Sequence, residues 1–452
     1  MASCTAAVAA VALFALSRPV VADTGSGSAT SPWQRPLVSD VRRIAGFRAR
    51  GKTKVTPATI GYLAHRRIGD PITPADIPVL EEALLSSELF ETVAVTLEDG
   101  DDGLYVVATV HDKLSWFAAP TVYVLPTNRA VGVGFVENDF GGDDQKILLY
   151  AQYGTTQSLL FATFLDPAVH GSKLTYRIDL YAEDKLIYEY LNPVNDPQNF
   201  DVARTTEDRF LDAGALIGWN WRWWIGADFR FRAAYVQFLD AVDASGKPTT
   251  SPEKDGWDTT LQFHLTIDHR IHKFGVTWGP YVQLLLEGSV PGLDDYHYAD
   301  YLLRAYYSWH FLGEHELEIR TFLNGGYDLP FHEEVALGGS TDLRGYDTDQ
   351  FRGDFNAVLR MEYSVPLFKY RIFAFRALAF YDGGYDTFLH PDGVGRNYLP
   401  SELGVSYLRD DVGCGLRLYV KNVVLPLLGL DLGYGIEGHS PEIYFELGLT
   451  DF

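Results

Sequence analysis

The sequence predicts a mainly β protein: a roughly 16-stranded antiparallel transmembrane β-barrel preceded by one small α+β domain of order β-α-α-β-β. Three observations carry this reading. Hydrophobic residues make up 47% of the 452, yet mean hydropathy is only −0.06, which fits apolar and polar residues that alternate instead of clustering. Aromatics reach 14%, with 27 Tyr, 27 Phe and 9 Trp, a bias expected of strands and of membrane-interface belts. Beyond residue 22 no apolar run approaches the ~18 residues read as a transmembrane helix, so a membrane location requires a barrel. The net charge of −23 argues against nucleic acid as a partner.

Taken in order, residues 1–22 read as a secretory signal peptide. Ala6 to Leu16 is a short apolar run, and Val20-Val21-Ala22 has the small-residue pattern of a cleavage site. No Lys or Arg precedes the run. Cys4 would leave with this peptide, so Cys414 remains alone and no internal disulfide is expected. Residues 23–36, rich in Ser, Gly, Thr and Pro, read as a linker.

Residues 37–113 form the small domain. Val38 to Ile44 suggests a strand. "VTPATIGYLAHRR" suggests a helix with Thr56 as N-cap and Pro57 at its first position. "TPADIPVLEEALLSSELF" suggests a second helix. Asp76 is its expected N-cap, because a start at Thr73 would put Pro78 where it removes a ladder hydrogen bond. Val79, Leu80, Ala83 and Leu84 make its apolar stripe. "ETVAVTLEDGDDGLYVVATVHD" gives two strands about an Asp/Gly turn.

From 114 to 452 helical spacing disappears and period-2 segments repeat. Leu174, Tyr176, Ile178 and Leu180 alternate with Thr175, Arg177, Asp179 and Tyr181. Phe229 and Phe231 alternate with Asp228, Arg230 and Arg232. Leu359 and Met361 alternate with Arg360 and Glu362. In a barrel the apolar rows face lipid and the charged rows face the lumen. "WNWRWW" at 219–224 suits an aromatic girdle. At roughly 20 residues per strand and connection the segment holds ~16 strands. Long connections fall near 183–209, 242–256, 328–354 and 383–405. Short ones fall near 220–224, 311–315, 366–371 and 423–428, and the small domain enters from their side.

At "GGSTDLRGYDTDQFRGD", Gly338 to Asp354, the sequence resembles the BamA-like outer-membrane assembly superfamily. "LRGY", Leu343 to Tyr346, is similar to the signature of the long loop after the eleventh strand. "FYDGG", with Phe380, Asp382 and Gly384, is similar to the F-x-D-x-G of the thirteenth. "GFVENDFGGDDQK" and "FLDPAVHGSK" resemble the first two periplasmic turns, and 37–113 resembles one POTRA domain. The resemblance implies a loop folded back into the lumen, with Arg344 and its neighbours Gly345 and Tyr346 set against Glu362 and Asp382. Parity supports this independently: Glu362 shares a face with Arg360, and Asp382 shares one with Phe380. A guanidinium held away from water needs a carboxylate, and its fork suits two.

The resemblance also implies a lateral opening between the first and last strands. Pro120 in the first cannot donate to the ladder, and Gly448 weakens the last. Phe452 is out of phase with the apolar row Ile443, Phe445, Leu447 and Leu449. His264, Asp268, His269 and His272 point in different directions along a strand and turn, so no metal site is expected there. No nucleophile elbow, Walker motif or dinucleotide motif occurs, and neither catalysis nor a cofactor is expected. The function implied is insertion of unfolded outer-membrane polypeptides from the periplasm. Outer-membrane lipids would surround the barrel, and periplasmic accessory proteins are possible partners. Secretion of a partner polypeptide through the lumen, and a passive pore or structural barrel, are the competing readings.

Overall fold

The computed structural model describes residues 41–87, 89–190, 202–273, 276–371, 373–390, 406–420, 426–439 and 441–447. The expected signal peptide (1–22), the linker (23–36), Gly448 and Phe452 lie outside them. The chain forms a small α+β region followed by a closed antiparallel barrel of sixteen strands.

The small region is a four-stranded sheet in the order Pro71–Ile72, Arg42–Lys52, Gly103–Asp112, Phe90–Gly100. Its first long strand runs parallel to Gly103–Asp112. Of the stretch Val38 to Ile44 that the sequence suggested, Arg42 to Ile44 lie in this strand, which runs on to Lys52, and 38–40 lie outside the described residues. "RRIAGFRARGK" hides its strand character because its arginines find partners on neighbouring strands. Arg48 lies 3.9 Å over the Tyr105 ring, and Arg50 donates to Glu98 at 2.5 and 2.8 Å.

The helix Pro57–Leu63 is capped by Thr56, whose hydroxyl accepts from the Thr59 amide at 3.3 Å. It ends earlier than its apolar pattern suggests. His65 adopts a left-handed φ of 54°, and Arg66 and His65 donate to Gly61 and Tyr62 carbonyls at 3.0 Å, a Schellman closure. The second helix, Ile77–Ser86, has Asp76 at its N-cap and Pro78 in its first turn. The Asp76 carboxylate turns back instead, accepting from the Thr73 amide at 2.8 Å and hydroxyl at 2.7 Å. A 3-10 turn therefore starts at Thr73 after all, and the proline falls beyond it. Leu80 and Leu84 enter the core with Ile77 beside them, while Val79 is exposed. The buried stripe is thus narrower than the apolar one.

The barrel strands are Trp116–Val124, Arg129–Phe140, Gln145–Gly154, Gln157–Asp166, Leu174–Tyr190, Val202–Arg222, Ile225–Asp243 and Gly256–Asp268, the eighth being continued by Ile271–Lys273. Then come Val276–Ser289, Ala299–Phe311, His315–Tyr327, Phe355–Tyr370, Phe373–Thr387, Ser406–Val420, Pro426–Gly435 and Pro441–Leu447. The alternating rows sort as a membrane barrel requires. Ile178 is 54% exposed and Asp179 4%; Phe229 is 52% exposed and Arg230 7%. Apolar rows that stay exposed around a charged interior are the inverse of a soluble sandwich.

Some connections differ from expectation. Strands continue to Tyr190 and from Val202, so regular pairing covers much of 183–209. The thirteenth strand continues to Thr387, shortening the connection expected at 383–405. The twelfth strand passes through Pro366 to Tyr370, with its register shifting there, because proline lacks the ladder donor. Pro426 already belongs to the fifteenth strand. A further long connection, 290–298, gave no turn-poor signal in the sequence.

The small region packs against the short-turn rim. The Thr56 amide donates to Gly142 O at 3.0 Å, its hydroxyl to Asp143 at 2.8 Å, and Thr59 Oγ1 to Gly142 O at 3.2 Å. Gly142 holds φ 84°, and a Cβ there would lie 2.0 Å from Lys54 O. His65 stacks on Trp223 with centroids 4.7 Å apart. Two groups at this contact titrate in opposition. Burial, with the charge of Asp139 assisting and Lys146 opposing, raises the Asp144 carboxyl to about 6. Burial lowers His65, with Arg66 adding to the effect.

A raised carboxyl supports docking below its ordinary value and loses that support as pH rises through about 6. A lowered imidazole supports docking above its ordinary value and loses that support as pH falls through the depressed one. Between pH ~7.5 and ~5 the Asp144 carboxyl by itself favours docking at the acidic end by on the order of 1 kcal/mol, and His65 opposes it. Hydrogen exchange over residues 54–65, corrected for intrinsic rate, measures it. Asp144→Asn should flatten the dependence between those two conditions; an unchanged slope in that variant would assign it elsewhere.

Candidate functional site: the lumenal loop

The connection 328–354 leaves the eleventh strand and turns into the barrel. A 3-10 turn at Phe331–Glu333 leads to a two-stranded ribbon, Val335–Leu337 with Phe351–Gly353. Gly338 and Gly339 hold φ 115° and 107°, which L side chains avoid. A small core of Leu337, Leu343, Tyr346, Phe351 and Val358 gives the loop its own packing.

Arg344 lies at the end of this fold, with no exposed surface. Its Nε and Nη2 donate to Asp382 at 2.7 and 2.9 Å. Its Nη1 donates to Glu362 and, at 3.4 Å, to Asp431. The guanidinium carbon lies 3.5 Å from the Phe380 ring centroid, a cation over a π face. The bidentate fork to Asp382 and the second carboxylate use the geometry that lysine lacks. Arg360 adds a second cation, 3.5 Å from both Glu362 and Asp382, and donates to Thr341 O at 2.5 Å.

Gly345 and Gly433 are steric requirements, while Gly384 is tightly packed by side chains. A Cβ on Gly384 would meet Leu343 at 3.0 Å and Leu337 at 3.1 Å. A Cβ on Gly345 would sit 2.3 Å from Gly435 N, and one on Gly433 would sit 2.0 Å from Arg344 O. Backbone thus lies directly on backbone between the loop and the fifteenth strand. The Gly345 amide donates to Asp411 Oδ2 at 2.9 Å. The Tyr346 hydroxyl donates to Glu437 and reaches Asp410 O at 3.2 Å.

Arg344, Gly345, Tyr346, Glu362, Phe380, Asp382 and Gly384 therefore meet in one place. Sequence reasoning missed Asp411, Asp431, Gly433, Gly435 and Tyr444. Parity could have found Asp431, because Leu430 and Leu432 are exposed on the opposite face.

The other limb of the loop is held across the lumen. Arg232 on the seventh strand donates to Asp258 at 2.6 Å, to Tyr298 Oη at 2.6 Å and to Glu333 at 2.9 Å. Arg352 donates to Glu334 at 3.1 Å and to Phe331 O at 2.7 Å. Asp258, His332 and Glu333 are close enough together to hold a metal ion, but the Arg232 guanidinium already supplies the positive charge among them. Among the described residues, the histidines noted in the sequence have separate partners. His264 lies 2.7 Å from Asp228, Asp268 pairs with Arg270 at 2.8 Å, and His269 packs on Trp223; the His272 side chain lies outside the described residues.

The barrel closes where the first strand meets the sixteenth. Among the described residues Val124, Tyr123 and Val122 pair with Phe445, Glu446 and Leu447. Pro120 is exposed on the first strand opposite Val133 of the second, and the residues beyond Leu447 lie outside the described ones.

A sixteen-stranded barrel with outward apolar rows, a charged lumen and a lumenal loop defines an outer-membrane transport or assembly barrel. The Omp85 superfamily domain matches residues 139–450, and the chain belongs to that superfamily. Among solved structures, BamA from Haemophilus ducreyi lacking POTRA domains 1-3 is similar with a TM-score of 0.59 at 12% identity, covering 89% of this chain and 84% of that one. CdiB from Escherichia coli is similar at 0.61 and 12%, covering 89% and 76%. CdiB from Acinetobacter baumannii gives 0.56 and 12%, covering 90% and 74%. At that identity the likeness is one of fold.

Proposed function

We propose that this chain is a non-enzymatic outer-membrane assembly factor that inserts unfolded polypeptides through a laterally opening seam. The observation that carries the reading is that the barrel closes by pairing its first strand with its last, seen among the described residues as Val122–Val124 with Phe445–Leu447. The freed edges would template a substrate strand, and a strand edge in lipid must be paired.

In this reading residues 37–113 are a single periplasmic POTRA domain, and 114–452 are the barrel. The strand Phe90–Gly100 lies at the sheet edge and would receive substrate by β-augmentation. Glu81 already accepts from its Val95 amide at 2.8 Å, so an incoming strand would displace that carboxylate. Periplasmic accessory proteins would dock on the same domain. The alternative, secretion through the lumen, requires the loop 328–354 to leave first, and a passive pore requires the same.

Depletion of the protein followed by profiling of the outer-membrane proteome tests the reading. Broad loss of barrel proteins is expected. Loss of a single exported polypeptide would reassign the chain to dedicated secretion.

A further inference from the structure

Three consecutive loop residues reach four successive strands of the wall and the turn before the last strand. Arg344 binds Glu362 and Asp382 on the twelfth and thirteenth strands. The Gly345 amide binds Asp411 on the fourteenth, and Gly345 lies flush on Gly435 of the fifteenth. The Tyr346 hydroxyl binds Glu437, in the connection leading to the sixteenth strand.

The sixteenth strand answers directly. Its Tyr444 points inward, between the outward Ile443 and Phe445, and is 2% exposed. The Tyr444 hydroxyl donates to the Tyr346 carbonyl at 2.5 Å. A buried phenol needs a hydrogen-bond partner, and here the partner is the backbone of the residue two positions after Arg344. Tyr444 is also adjacent in sequence to Phe445, which pairs with Val124 across the seam.

We infer that Tyr444 is a positioning residue that ties the last strand to the Arg344 node, so that release of the loop and loosening of the seam are coupled. The inference gives the proposed lateral opening a physical trigger, and in that sense rests on it. The coupling is nevertheless a property of the resting barrel. With the loop seated, the last strand is held from inside at Tyr444 and from its flank by the fifteenth strand. With the loop displaced, the Tyr444 hydroxyl loses its acceptor. By linkage the effect must run both ways: weakening either partner loosens the other.

Hydrogen exchange of the full chain in phospholipid vesicles, without substrate, tests this. Tyr444→Phe keeps the ring and removes the donor. Exchange should quicken about five-fold, the change that a hydrogen bond of ~1 kcal/mol converts to, both over 441–447 and over 338–350. Strands five to eight should be unchanged. Arg344→Ala should quicken 441–447 as well, and the double variant should add little further. If Arg344→Ala does not assemble, Arg344→Lys serves, since it keeps the charge and loses the fork.

The inference is overturned if Tyr444→Phe speeds the last strand while 338–350 exchanges as in the unaltered protein. It is also overturned if the arginine variants free the loop without affecting 441–447. Because no substrate is present, coupled exchange in a barrel that inserts nothing would sustain the coupling and reject the insertion reading.

Discussion

Arg344→Ala is expected to yield an exported, closed barrel whose loop is cut by protease between 338 and 350 and whose activity is reduced. The substitution removes two bonds to Asp382, one to Glu362 and the cation over Phe380. It leaves Glu362, Asp382 and Asp431 facing one another, with Arg360 at 3.5 Å from the first two and Arg417 on Asp431 at 2.5 and 2.7 Å as the cations that remain. Removing one partner of a buried ion pair costs roughly 3–5 kcal/mol, because the charge left behind stays desolvated. Lysine should rescue only in part, since a point charge cannot fork. The limb 331–337 should stay protected, because Arg232 and Arg352 hold Glu333 and Glu334 independently. Limited proteolysis with mass mapping, alongside an insertion assay, separates these effects. If Arg344→Ala matches the unaltered protein in both loop protection and activity, the pinning model is wrong.

The barrel was legible because period-2 alternation is strong whenever one face meets lipid and the other meets charge. Ile178 and Asp179, or Phe229 and Arg230, announce their sides by residue type alone. Strand ends were less legible. Charged residues such as Glu183, Asp184, Lys185 and Arg209 look like loop, yet they lie within paired strands. Lumenal and water-facing charges are the same residue types. The first strand of the small domain was read short for a related reason, since its arginines are satisfied by Tyr105 and Glu98 from adjacent strands. At the candidate site, Arg344, Glu362 and Asp382 could be brought together through motif and parity. Tyr444 could not, because an inward tyrosine on a last strand has no sequence signature of its target. Its acceptor is a backbone carbonyl in a loop that local sequence does not position. Gly433 and Gly435 are likewise explained only by the loop backbone lying against them.

Locking the seam should abolish insertion and leave any axial transport intact. Cys414 is exposed and free, and Cys414→Ser supplies a background without thiols in the barrel. Two cysteine pairs follow from the register: Tyr123→Cys with Glu446→Cys, whose partners face the lumen, and Val122→Cys with Leu447→Cys, whose partners face outward. Adjacent antiparallel pairs alternate between wide and narrow Cα separations of about 5.5 and 4.5 Å. Both lie within the ~4.4–6.8 Å that a disulfide spans, so both pairs are made. A third pair, Ala162→Cys with Leu180→Cys, staples the fourth strand to the fifth and controls for the cross-link itself. Oxidation of either seam pair should stop insertion, reduction should restore it, and the control should insert in both states. The expected loss is complete, because a covalent bond holds together the two strands whose separation the lateral gate requires. A lumenal translocator or a pore would be indifferent to the staple, since its path runs along the barrel axis. Efficient oxidation of a seam pair with undiminished activity would exclude the lateral gate and transfer the function to the lumen.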